Sequence, residues 1–107
     1  MNDQELADKL RALLVIQRGQ FEAPDGTILY YLSGATCGGI PVQEIVRDWR
    51  VAGAMIEKCS CSILQNERSI WLAKAWATDE SPRCEIADSA SSPARAINEA
   101  CAAALNA

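Results

Sequence analysis

Residues 41–59 read PVQEIVRDWRVAGAMIEKC, and the spacing of their apolar positions decides how the rest of the chain is arranged. Ile45, Trp49, Ala52 and Ile56 recur at the four-three-four spacing of one helical face, and Val42, Val46 and Gly53 widen it. Glu44, Arg47, Asp48, Arg50, Glu57 and Lys58 fall mostly off that stripe. Pro41 suits the first helical position, where a missing N–H has no partner to lose. The pattern predicts one amphipathic helix that runs into a strand.

Upstream, residues 3–17 predict a first helix with Leu6, Leu10, Leu13, Leu14 and Gln17 along one face. Asn2 and Glu5 have the spacing of a capping box, acidic residues in the first turn suit the helix dipole, and Gly19 offers a stop. Phe21 then opens a short hairpin, with Pro24-Asp25-Gly26 as its turn and residues 27–32 as an edge strand or extended segment. A glycine-rich loop, Ser33-Gly34-Ala35-Thr36-Cys37-Gly38-Gly39, follows.

Downstream the period changes to two. Cys59, Cys61 and Ile63 alternate with Ser60, Ser62 and Leu64, residues 66–69 make a turn, and residues 70–77 form a second strand. Ile70, Leu72 and Trp76 share one face of that strand, and Trp71, Ala73, Ala75 and Ala77 the other, with Lys74 its one charge. Apolar residues on both faces predict a central strand covered on both sides. Residues 78–82 turn the chain and residues 83–88 form a third strand. The last helix starts near Pro93 with Ser91 or Ser92 as N-cap, and carries Ala94, Ile97, Cys101 and Leu105 on one face. The expected architecture is a single α+β domain over residues 1–107. It has an antiparallel sheet of three or four strands with helices packed on both faces, an α/β/α sandwich.

The 107 residues suffice for a real core, and their 50% apolar and 22% charged content is that of a globular protein. A net charge of −4, with both signs interspersed, disfavours a phosphate backbone as partner and is too mild for a nucleic-acid mimic. No apolar run approaches the roughly 20 residues of a membrane span. The polar, acidic start MNDQELADKL is unlike a signal peptide. Both point to a cytoplasmic protein with no membrane partner. Five cysteines, an odd number, read as free thiols, and none are spaced C-x-x-C. Cys59 and Cys61 would lie on one side of a strand roughly 7 Å apart, too far for a relaxed disulfide. They read as small buried hydrophobes in preference to a metal or redox centre.

The chain contains no histidine, so Ser-His-Asp and Cys-His constellations cannot be built. Its lysines have no motif around them, its carboxylates fall in helix faces and turns, and phosphate-loop, dinucleotide and zinc-protease motifs are missing. No catalytic residue, cofactor or metal ligand is nominated, and a non-enzymatic protein is expected. One constellation could take a ligand. Ser33, Gly34, Thr36, Gly38 and Gly39 bear hydroxyls and flexible backbone directly before a helix N-terminus, where unpaired N–H groups can hold a phosphate or carboxylate. A plain connector would also use glycine there. Trp49, Trp71 and Trp76 each fall on an apolar face and read as core before they read as a stacking platform.

From about residue 41 to 105 the chain resembles the small bacteriophage proteins of the phage α/β/α-sandwich domain family. VRDWRVAGAMIEKC looks like that family's aromatic-bearing central helix, SIWLAKAWA like its tryptophan-containing middle strand, and DSASSPARAINEACAAALNA like its alanine-rich final helix. The resemblance implies a phage or prophage origin, action in the bacterial host cytoplasm, and no catalytic residues to carry over. The leading expectation is an accessory protein that binds and inhibits or titrates a host (defence) protein. The alternative is an oligomeric sponge that sequesters a nucleotide signal of antiviral defence, with the glycine loop holding phosphate and a tryptophan or Tyr30 or Tyr31 stacking the base. An exposed edge at residues 27–32 could drive homo-oligomerisation.

Overall fold

A computed structural model describes residues 1–35, 38–78, 84–89 and 91–106. The first helix, α1 (Asp3–Ala12), begins where the Asn2 side chain accepts the Glu5 N–H at 2.8 Å, and it buries Leu6, Ala7 and Leu10. It stops five residues before the expected end at 17. The Leu14 N–H reaches Arg11 O and the Val15 N–H reaches Leu10 O, the paired bonds of a Schellman terminus. Leu14 occupies its left-handed position, at φ 61°. The chain can therefore leave at once as a strand, β1 (Ile16–Glu22).

Gly19, expected to end the helix, lies instead inside β1. A Cβ there would stand 2.6 Å from Cε2 of Tyr31 and 2.9 Å from Leu29 O, so only glycine allows the two strands this close. β1 pairs antiparallel with β2 (Ile28–Leu32). The turn at Pro24-Asp25-Gly26 is as read: Thr27 N–H bonds to Asp25 Oδ1 at 3.0 Å, and Ala23 N–H bonds to Thr27 O at 2.8 Å. β2 is no edge strand. It is the centre of a three-stranded sheet whose other edge is β3 (Ile40–Pro41). Its Tyr30 is buried, with the hydroxyl accepting from Gln4 Nε2 of α1 at 3.0 Å.

The single helix expected over residues 41–59 is two. Pro41 is extended and N-caps α2 (Val42–Ile45), so it is not the first helical residue; α3 (Trp49–Lys58) follows. Asp48 separates the two helices, because its carboxylate accepts the Arg50 N–H at 2.7 Å and starts a fresh N-terminus. The break resets the buried face. Ile45, Val46, Val51, Ala52 and Met55 are buried, whereas Trp49, Gly53 and Ile56 of the predicted stripe are exposed.

The second sheet is the expected meander: β4 (Ser60–Gln65), β5 (Trp71–Trp76) and β6 (Glu85–Ser89), in the order β4-β5-β6 with β5 central. Asn66 closes the β4–β5 turn, its side chain accepting from the backbone of Arg68 and Ile70. The predicted turn at residues 78–82 lies mostly outside the described residues. The last helix, α4 (Pro93–Asn106), is capped by the Ser92 hydroxyl, which accepts the Arg95 N–H at 3.1 Å.

The class is α+β, with two antiparallel three-stranded sheets and helices packed against them. α1 and α2 back the first sheet. α4 backs the second and also packs on α1 and α3, which buries Ala94, Ala96, Ile97, Asn98, Ala100, Cys101, Ala102 and Ala104. The small alanines let strand and helix backbones approach from several sides. Among the described residues the cover of the second sheet is one-sided: α4 lies on the face of Ala73, Ala75 and Ala87, and the opposite face of β5, where the sequence leads one to expect a second helix, is partly open.

Candidate functional site

The glycine-rich loop connects β2 to β3. Ser33 N–H donates to Val15 O at 3.0 Å, Ala35 N–H to Leu32 O at 2.9 Å, and Gln17 Nε2 to Ala35 O at 3.2 Å. These bonds tie its first half to the sheet. Gly34 and Gly38 hold positive φ, 87° and 82°, and Ser33, Gly34 and Gly38 are exposed. Gly39 is packed: a Cβ there would stand 3.0 Å from Cβ and Cδ1 of Leu29. Thr36 and Cys37 lie outside the described residues. The loop leads into the extended pair Ile40–Pro41 and then into α2, a helix of four residues. Its positive end is correspondingly short.

The open face of the second sheet is built by strand register. Leu64 opposes Leu72, which opposes Asp88; Ser62 opposes Lys74, which opposes Ile86; and Ser60 opposes Trp76. Directly opposed residues share a face. The result is a surface with Leu64, Leu72, Trp76 and Ile86 around Lys74, edged by Ser60, Ser62 and Asp88. Ile86 is 60% exposed and Leu64 49%, while Leu72 and Trp76 are half-buried. Of these, sequence reasoning weighs only Trp76 as a stacking or anchoring residue, and places it first in the core. The signal is the apolar second face of residues 70–77, from which the sequence alone leads one to expect a covering helix.

Trp49, expected in the core, is 60% exposed at the start of α3. Arg47, whose place off the helical stripe suggests a solvated charge, is instead structural. Its Nη1 lies 3.0 Å from Asp3 Oδ2, and Arg95 Nη2 lies 3.0 Å from Asp3 Oδ1. Burial alone would raise the Asp3 pKa, but hydrogen bonds and charge from Arg47 and Arg95 hold it below the usual carboxylate value. Asp48 is also lowered, first by its side-chain bond to Arg50. These carboxylates are committed as ionised partners, which suits scaffold more than proton transfer.

Cys59 and Cys101 are buried and Cys61 is partly exposed. Among the described residues no group of three Cys, Asp or Glu is arranged to hold a metal ion, and no helix is long and apolar enough to cross a membrane. No family model, no curated protein and no solved structure matches the chain.

Proposed function

We propose that the chain is a small non-enzymatic binding protein that engages another protein through the outer face of the β4-β5-β6 sheet. The observation that carries this reading is the open apolar surface of Leu64, Leu72, Trp76 and Ile86 with a polar rim. An apolar centre edged by polar groups is how protein interfaces are built. On the resemblance to small phage proteins, the partner is a host protein of the bacterial cytoplasm, which the chain inhibits or titrates. Ionised, paired carboxylates and the lack of histidine agree with action by binding.

The test is affinity capture from host lysate, repeated with Ile86→Asp and Leu64→Asp. One partner held by the wild type and by Leu14→Gly, but lost with either sheet variant while circular dichroism stays native, supports the reading. Equal capture by all four proteins overturns it. The nucleotide-sponge alternative is separated by calorimetry against linear and cyclic nucleotides. Heat that disappears in Gly38→Asp moves the function to the loop of Ser33, Gly34, Thr36, Gly38 and Gly39.

A further inference from the structure

Among the described residues the two sheets present four edges: β1 and β3 in the first, β4 and β6 in the second. An open edge displays a row of N–H and C=O groups that will pair with a strand laid beside it. Proteins guard such edges with charge, proline, bulges or short length. Three of the four are guarded here. β1 carries Arg18 and Glu22, and its register shifts between them. β3 is two residues long and ends in Pro41. β6 carries Glu85 and Asp88 within five residues.

β4 has none of these devices. Its six residues, Ser60–Gln65, read SCSILQ, without charge, proline or glycine. They pair with β5 residue for residue, with no shift in register. Ser62, Ile63, Leu64 and Gln65 are exposed. Ile63 opposes Ala73 on the face that α4 covers, yet it is 38% exposed, so α4 does not close over this rim. The turn fixes which backbone groups face outward. Asn66 N–H donates to Ile70 O at 2.9 Å across the end of the hairpin, and successive residues of a strand direct their N–H and C=O to opposite sides. Ser60, Ser62 and Leu64 therefore direct theirs toward β5, and Cys61, Ile63 and Gln65 direct theirs to the open edge.

We propose that β4 pairs antiparallel with β4 of a second copy of this chain, about a two-fold axis between the two Ile63 residues. Ile63 then lies opposite its own counterpart, Cys61 opposite Gln65, and Ser62 opposite Leu64. In this register every outward N–H and C=O of Cys61, Ile63 and Gln65 gains a partner, and each face of the sheet stays in phase across the junction. A second copy suits the edge because the strand is uncharged. Self-pairing sets no like charges against each other, in a chain whose net charge is −4. The exposed Ile63 side chains cover each other. The assembly also closes: the joined sheet ends at β6 in each copy, where Glu85 and Asp88 stand guard, so pairing stops at two. The dimer goes beyond the binding function proposed above. It sets two outer apolar faces side by side and uses neither of them.

The experiment is sedimentation velocity on the full, reduced chain over a dilution series, with backbone hydrogen exchange on the same samples. The expected result is twice the chain mass at high concentration, falling to the single mass on dilution. The amides of Cys61, Ile63 and Gln65 should be protected only in the dimer, and those of Ser62 and Leu64 in both states. Ile63→Lys and Ile63→Pro, the second lacking the outward N–H, should each halve the mass at high concentration while circular dichroism stays native. Ile86→Asp, on the outer face, should leave the dimer intact. Should either Ile63 variant fail to fold, the exchange pattern of the wild type decides. A wild type that is a single chain at every concentration, a dimer that survives Ile63→Lys, or one that Ile86→Asp splits overturns the proposal.

Discussion

Leu14 takes the left-handed backbone position that ends α1, where glycine is the usual occupant, and its side chain is 77% exposed. A non-glycine residue in that conformation costs about 1–2 kcal/mol, and little burial offsets it here. Leu14→Gly should stabilise the protein by about 0.5–1 kcal/mol after the greater freedom of glycine in the unfolded chain is subtracted. Thermal unfolding would show a midpoint raised by a few degrees. Gly19 is the opposite case. Gly19→Ala drives a methyl group into the Tyr31 ring and the Leu29 carbonyl, and urea unfolding should report a loss of about 1–3 kcal/mol. Neither role was legible in the sequence. The run Leu13-Leu14-Val15-Ile16 fits a helix face as well as a strand, and glycine is read as a stop wherever it follows a helix. That a strand here needs a residue without Cβ depends on Tyr31, which is placed only once the hairpin forms.

The one helix expected over residues 41–59 is two in the structure, although its break carries a local signal. Asp48 before Trp49-Arg50-Val51 is a good N-cap, but apolar spacing counted straight through it, because Ile45, Ala52 and Ile56 keep helical phase across the gap. Asn98 secures the junction by donating from Nδ2 to the Val46 carbonyl at 3.0 Å, a contact from α4 that no local pattern announces. Asp48→Ala should destabilise the chain by about 1 kcal/mol in denaturant unfolding. The effect has a sign in pH. The folded pKa of Asp48 is depressed, so its contribution is fully present above the ordinary aspartate pKa, near 4. It is lost as pH falls through the lower folded value. The gap between wild type and Asp48→Ala should therefore narrow on acidification below about pH 4. The meander of β4, β5 and β6 was legible because a period of two with turn residues between is a local pattern. What covers a strand is not local. The apolar outer side of β5 predicts a second helix, whereas the structure leaves that side partly open and makes it the candidate site.

Across the whole molecule, Asp3 joins three parts of the chain: α1, the α2–α3 junction through Arg47, and α4 through Arg95. Asp3 retains its negative charge further into acid than a free aspartate does. Asp3→Asn should lower stability by about 1 kcal/mol at neutral pH, the scale of a networked surface ion pair, and flatten the dependence of Tm on pH below about 5. Equal slopes for variant and wild type would mean that the pairs contribute nothing to folding. Long-range groupings of this kind leave no local pattern in the sequence. Cys59 and Cys61 can be put on one side of a strand by counting, but the burial of Cys101 follows only from the packing of α4 on the second sheet. Of the glycine-rich stretch, the described residues Ser33, Gly34, Ala35, Gly38 and Gly39 lie outside helix and strand, as the sequence leads one to expect. Its surroundings were not legible, because α2 ends after one turn.

The position of α4 has a consequence for the order in which the protein is made. This helix packs on the second sheet, on α1 and on α3, yet it is encoded after all of them. While the ribosome still holds residues 93–106, the nascent chain can close its first hairpin, but Ala73, Ala75 and Ala87 have nothing to lie against. The core is completed by late docking of an alanine-rich segment, and until then the exposed sheet is available to chaperones and to other nascent chains.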